Sequence, residues 1–109
     1  MATSVAKALG AEAEFDYCRG YPTVNHPIQA GILGDAAARV AGEAAVRRNA
    51  APIMGAEDFS YMLKARPGAF IFMGNGITAP LHDPKYDFND NALRHGIALW
   101  VDLVTRANR

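Results

Sequence analysis

The stretch Leu81-His82-Asp83-Pro84 decides the fold, because it follows a continuous apolar run at 69–73 and precedes the clearest helical pattern in the chain. An apolar run bounded by glycines is typical of a strand that is covered on both faces. His82 is therefore predicted on a loop between a strand and a helix, held between two prolines and close to carboxylates. A rigid loop of this kind can position a histidine as a ligand.

Four helices are predicted from caps and apolar spacing. Thr3 or Ser4 caps a first short helix that Gly10 ends. Pro27 opens a second, alanine-rich helix, because proline is favoured in the first helical turn. Its apolar positions lie four residues apart, as the helical repeat requires, at Ile28, Ile32, Ala36 and Val40.

The third helix begins at Glu57 and Asp58, whose carboxylates suit the positive end of a helix dipole, and stops before Pro67. Asn89 or Asp90 caps the fourth. That helix carries apolar residues at helical spacing and cations near its end, where the dipole favours them: Leu93, Ile97, Trp100, Val101, Val104, Arg106 and Arg109.

A second strand is predicted at 12–21, where Ala13, Phe15 and Tyr17 alternate with polar residues. Pro22 cannot donate to a ladder, so a domain boundary is predicted there. The stretch 43–51 is open to two interpretations, a continued helix or a short loop. The order of elements indicates an α/β fold that is short of strands and completed by a partner or by further chain.

Composition limits the function classes. The chain has 109 residues, zero formal net charge and one cysteine. Balanced charge with no basic patch gives no reason to expect nucleic acid or an anionic membrane as a partner. A single cysteine fits a reducing compartment, and no apolar run reaches the roughly 18 residues that span a bilayer. With no signal peptide at the start, the expected location is the cytoplasm.

Several motifs occur together in one order and carry a resemblance. The chain resembles the C-terminal part of the metal-dependent aminoacylase, hippurate hydrolase and carboxypeptidase family, whose members use a co-catalytic metal pair. The motifs are the run 15–25, Gly55-Ala56-Glu57-Asp58-Phe59, Pro67-Gly68-Ala69-Phe70, Gly74-Asn75-Gly76, Leu81-His82-Asp83-Pro84 and Tyr86-Asp87-Phe88-Asn89-Asp90.

The resemblance implies an α/β, zinc-peptidase-like fold in two parts. Residues 1–22 correspond to the last helix and strand of a lid, or dimerisation, domain. Residues 23–109 correspond to the C-terminal segment of the catalytic domain. The implied activity is hydrolysis of the amide bond of N-acyl amino acids or small peptides. The implied cofactor is a divalent metal, usually zinc, with manganese, cobalt or nickel as alternatives.

The resemblance also assigns roles to residues. His82 is the metal ligand that this segment contributes, and Asp83 or a backbone carbonyl would orient its second ring nitrogen. Glu57, Asp58, Asn75 and Gly76 are expected at the substrate pocket. No catalytic residue is expected in this chain, because the family's general base and other ligands lie in an N-terminal half. The isolated chain is therefore expected to be inactive.

The expected partners follow from the same assignment. A homodimer through the lid strand or a missing N-terminal half would complete the chain, since an exposed strand invites pairing. Two alternatives stay open: a non-catalytic oligomeric structural or binding module derived from the family, and one half of a split enzyme.

Overall fold

The computed structural model describes residues 1–107, whose regular elements are four α-helices joined by extended segments. The helices are α1 (Ala2–Ala8), α2 (Pro27–Ala41), α3 (Phe59–Ala65) and α4 (Asn91–Ala107), and a 3-10 helix at Glu43–Ala45 follows α2. The four predicted helices are thereby confirmed, but the predicted cap of the first is wrong, because α1 begins at Ala2 after Met1 and both Thr3 and Ser4 lie within it. Arg109, one of the cations predicted near the end of the last helix, lies outside the described residues.

Local signals place the helix ends. Pro27 opens α2, where its missing N–H costs no helical hydrogen bond. Gly42 ends α2 with φ +85°, a conformation that is essentially restricted to glycine. The side chain of Asn89 accepts a hydrogen bond of 3.1 Å from the backbone N–H of Asn91 at the start of α4, so Asn89 fulfils the predicted capping role.

The two predicted strands are not confirmed, because the structure shows no strand within residues 1–107. The α/β prediction is therefore corrected, for these residues, to helices and extended segments. A strand needs a neighbour to accept and donate its backbone hydrogen bonds. Residues 12–21 have no neighbouring strand among residues 1–107, and Phe15 and Tyr17 remain 65% and 70% exposed. The run 69–73 is likewise not doubly covered, since Phe72 is 59% exposed.

Helices α2 and α4 pack against each other. The buried apolar residues of the described chain are Ala36 in α2 and Ala92 in α4. At the far end of the contact, Arg39 Nη2 lies 2.6 Å from Asp102 Oδ2, and Arg106 Nε lies 2.9 Å from Asp102 Oδ1. Hydrogen bonds from Arg39 and then Arg106 lower the pKa of Asp102 from 3.8 to about 2.

The stretch 43–51, left open by sequence, is a 3-10 helix followed by irregular chain. Arg48 returns to α2, where its Nη1 lies 2.8 Å from Asp35 Oδ1, while its Nε lies 2.7 Å from Glu43 Oε1. The hydrogen bond from Arg48 lowers the pKa of Glu43. A Cβ on Gly34 would lie 2.9 Å from Arg48 Nη1, so the glycine leaves room for the guanidinium.

The chain has an open shape with little core. Its radius of gyration is 19.5 Å, against about 13 Å for a compact domain of 100 residues. The apolar stripe of α4 is largely exposed, including Ile97 at 62% and Trp100 at 67%. None of the helices in the described part of the chain is long and apolar enough to cross a membrane.

Candidate functional site

The candidate site is centred on His82, which lies exposed on a turn between α3 and α4. The backbone N–H of Asp83 donates to the carbonyl of Pro80 at 3.1 Å, and the N–H of Tyr86 donates to the carbonyl of Asp83 at 2.9 Å. His82 itself has φ +71°. Positive φ is uncommon outside glycine and recurs where a side chain is held for function.

Asp83 supports the turn with its own carboxylate. Its Oδ1 accepts a hydrogen bond of 2.8 Å from the backbone N–H of Lys85. This is the local side-chain-to-backbone pattern that aspartate favours in turns. Within the described residues no hydrogen bond reaches the imidazole of His82, and the predicted orientation of its second nitrogen by Asp83 stays a prediction.

Asn75 and Gly76 lie at the base of the loop that carries His82. The Asn75 side chain donates from Nδ2 to the carbonyl of Asp87 at 2.7 Å and accepts at Oδ1 from the N–H of Asn89 at 2.8 Å. Gly76 has φ +83°. A cavity of about 380 Å³ opens here between the loop and the start of α4.

Glu57 and Asp58 lie at the start of α3, as predicted, and both are exposed. Their backbone carbonyls accept hydrogen bonds from Ser60 at 2.9 Å and Tyr61 at 3.0 Å. Their carboxylates do not gather with His82, because residues 1–107 contain no group of three or more histidine, cysteine, aspartate or glutamate side chains that could hold a metal.

Sequence reasoning missed a connection that fixes the segment before α2. Asn25 donates from Nδ2 to the carbonyl of Phe70 at 2.8 Å and accepts at Oδ1 from the N–H of Phe70 at 2.7 Å. The N–H of His26 also donates to the carbonyl of Gly68 at 2.9 Å. No local signal predicts this pair, since its members are 45 residues apart. The contact borders a cavity of about 400 Å³ between the start of α2 and the end of α3.

The chemistry available to the chain's own residues is limited. His82 offers one exposed imidazole, and neutral imidazole is a good ligand for zinc and similar metals. A co-catalytic metal pair needs several further ligands. Residues 1–107 can therefore supply one ligand, His82, to a metal site, but they do not supply enough ligands for a complete site.

The comparisons with known proteins give the family. Residues 4–106 match the model of peptidase family M20/M25/M40. Over 100 residues, the chain is 35% identical to "Probable hydrolase sll0100" of Synechocystis sp. (strain ATCC 27184 / PCC 6803 / Kazusa), a match that covers 86% of this chain and 25% of that protein. No solved structure matches the chain significantly.

Two further relatives carry more specific names. "Putative amidohydrolase YhaA" of Bacillus subtilis (strain 168) is 38% identical over 90 residues, covering 77% of this chain and 22% of that protein. "IAA-amino acid hydrolase ILR1-like 4" of Arabidopsis thaliana is 38% identical over 60 residues, covering 50% of this chain and 14% of that protein.

The chain thus spans about a quarter or less of the length of these relatives. The family match extends over nearly all of the described residues and includes the loop of His82. The resemblance drawn from the motifs is confirmed by this match. The chain belongs to peptidase family M20/M25/M40, a family of metal-dependent peptidases and amidohydrolases.

Proposed function

We propose that this chain is the C-terminal part of a metal-dependent amidohydrolase that cleaves N-acyl amino acids or small peptides. The observation that carries the proposal is His82, an exposed imidazole at φ +71° on a hydrogen-bonded turn in a chain of this family. The names of two relatives, an amidohydrolase and an IAA-amino acid hydrolase, support an amide bond as the target.

His82 would hold one metal ion of the active site, with zinc as the first choice and manganese, cobalt or nickel as alternatives. When bound, the metal supplies Lewis-acid activation of water and of the amide carbonyl. The other ligands and the general base would come from outside this chain, since residues 1–107 hold no group of three or more side chains that could bind a metal. The isolated chain would then be inactive.

Four residues of this chain would form part of the substrate pocket. Glu57 and Asp58 would form its wall, since their carboxylates are exposed at the start of α3. Gly76 has no side chain and φ +83°, so its backbone could approach a substrate closely. The second N–H of Asn75 Nδ2 would face the cavity of about 380 Å³ that Asn75 lines.

The chain would divide between two domains. Residues 1–22 would end the lid domain, and residues 23–109 would belong to the catalytic domain. In support, α1 makes no contact with the other described helices, and an extended segment separates it from α2. The segment 12–21 would become a strand when a second copy pairs with it, and the protein would then be a homodimer joined through the lids. We propose the cytoplasm as its location.

The proposal is tested by metal content and by hydrolysis of a panel of N-acyl amino acids. Both are measured for the isolated chain and for the full-length protein that contains it. The variant is His82→Ala, and the matched control is His95→Ala, which removes an exposed imidazole from α4. We expect the full-length protein to hydrolyse substrate with bound metal, His82→Ala to lose at least one metal ion and most of the activity, and His95→Ala to keep both.

Two outcomes would contradict the proposal. Metal content and activity that survive His82→Ala would remove His82 from the metal site. A full-length protein that binds no divalent metal and hydrolyses none of the panel would favour the non-catalytic module. A full-length protein no longer than this chain, active only with a separately encoded N-terminal half, would instead support the split-enzyme form.

A further inference from the structure

The loop that carries His82 is closed at its base by one side chain. Asn75 lies at the start of the loop and contacts its far end in two places, the carbonyl of Asp87 and the N–H of Asn89, at 2.7 and 2.8 Å. The amide thus replaces two backbone partners, one donor and one acceptor. We refer to these two hydrogen bonds as the Asn75 clamp.

A third hydrogen bond reinforces the same closure. The backbone N–H of Asp87 donates to Oγ1 of Thr78 at 3.1 Å. The ends of the segment 76–88 are therefore held together, in the manner of a compact surface loop whose ends lie close. Closing a loop of this length in advance removes much of the conformational entropy that its central residues would otherwise retain.

The clamp also ties the loop to the helical part of the chain. Asn89 caps α4, since its Oδ1 accepts from Asn91 N–H at 3.1 Å and its carbonyl accepts from Ala92 N–H at 2.8 Å. Ala92 is buried and α4 packs on α2. The chain from Asn75 to α4 therefore forms one connected path from a packed helix to the base of the loop.

His82 lies in the middle of the closed loop. Its φ of +71° is costly for a residue with a Cβ. Such a conformation persists only where surrounding contacts hold it. The turn bonds of Asp83 act on one side of His82, and the clamp acts on the base of the loop that contains them.

We infer that Asn75 is a positioning residue that holds the His82 imidazole in place for metal binding. This inference rests on the proposed role of His82 as a metal ligand. Asn75 would act through the loop, with no contact to the metal. Groups that orient a metal ligand commonly change metal affinity by about 10–100-fold when they are removed, and we expect a loss in this range for Asn75→Ala.

The test compares three variants of the full-length protein. Asn75→Ala removes both hydrogen bonds of the clamp. Asn75→Asp keeps the acceptor for Asn89 N–H and loses the donor to Asp87. Asn91→Ala is the matched control, because Asn91 lines the same cavity and its side chain makes no hydrogen bond among the described residues.

Two readouts are needed, and only one of them involves metal. Hydrogen exchange of the Asn89 amide reports on the clamp itself. Cobalt affinity and the visible absorption spectrum of bound cobalt report on the placement of the ligand. We expect Asn75→Ala to speed hydrogen exchange at Asn89 and to weaken cobalt binding. Asn75→Asp should lie between Asn75→Ala and wild type in both readouts. Asn91→Ala should match wild type in exchange and in cobalt affinity.

A kinetic measurement separates positioning from substrate contact. If Asn75 acts through His82, the Asn75→Ala enzyme regains most of its rate at saturating cobalt, and any rise in KM that remains reports the pocket contact proposed above. A raised KM that saturating cobalt does not correct, with cobalt affinity unchanged, would overturn the inference and leave Asn75 as a substrate contact.

The failure of this inference differs from the failure of the proposed function. If His82→Ala weakens cobalt binding while Asn75→Ala speeds exchange at Asn89 and leaves cobalt affinity unchanged, the positioning role alone is overturned. If His82→Ala leaves cobalt affinity unchanged, the metal-ligand role of His82 fails, and the positioning role fails with it.

Discussion

Arg39 and Asp102 join α2 to α4 through three hydrogen bonds, from Nε to Oδ1 at 3.2 Å and to Oδ2 at 3.0 Å, and from Nη2 to Oδ2 at 2.6 Å. The residues are 63 positions apart in sequence. A guanidinium can contact a carboxylate in this forked manner, whereas a lysine ammonium cannot. Asp102 also accepts a hydrogen bond from Arg106 within α4, so one carboxylate pairs with two guanidinium groups.

The Asp102 network predicts a loss of stability in acid. The pKa of Asp102 is about 2 in the folded chain and 3.8 ordinarily. A carboxylate with a lowered pKa stabilises the fold fully above its unfolded pKa, and the contribution disappears as the pH falls through the folded value. We expect helix content, followed by circular dichroism, to fall between pH 4 and pH 2.

Asp102→Asn should remove this part of the acid transition and leave the protein less stable at pH 7. Asp16→Asn is the control, because Asp16 is an exposed carboxylate in the extended segment. An unchanged acid transition in Asp102→Asn would show that other carboxylates control it.

Asn25→Ala should destabilise the connection between the start of α2 and residues 68–70. It removes two hydrogen bonds to Phe70, and a net loss of about 1–2 kcal/mol is expected for two such bonds. The measurement is the free energy of unfolding in urea. His26→Ala is the matched control, since His26 pairs with Gly68 through its backbone. Equal losses in the two variants would contradict the assignment.

Two glycines, Gly31 within α2 and Gly42 directly after it, should respond in opposite directions to alanine. A Cβ at Gly31 would meet no atom within 4 Å, so Gly31→Ala should stabilise the helix by about 1 kcal/mol. Gly42 has φ +85° and ψ 145°, and Gly42→Ala should destabilise by about 1–3 kcal/mol. Urea unfolding of both variants gives the comparison. A destabilising Gly31→Ala would mean that this face of α2 is more crowded than the structure shows.

Trp100 should report on whatever covers α4. It is the sole tryptophan of the chain and is 67% exposed, so the isolated chain should show water-like fluorescence with strong acrylamide quenching. In the full-length protein the emission should shift to the blue and quenching should fall, because an apolar stripe of this size is covered in a packed domain. Identical spectra in the two proteins would indicate that the stripe stays in water.

The predicted helices agreed with the structure because their signals are local. Pro27 begins α2, Gly42 ends it, and Asn89 caps α4, each through effects that reach only a few residues. The strands at 12–21 and 69–73 were predicted from alternation and apolar runs. Those patterns describe faces to be covered, and the described residues contain no neighbouring strand to cover them.

By itself, the sequence determined the helices, the turn around His82 and the family, since each depends on short-range motifs in a given order. Only the tertiary structure decided that Asn75 closes the loop of His82, that Asn25 bonds to Phe70 and that Arg39 reaches Asp102. These pairs lie 12 to 63 residues apart. Contacts over such distances depend on how the helices and loops come together, and no local pattern encodes them.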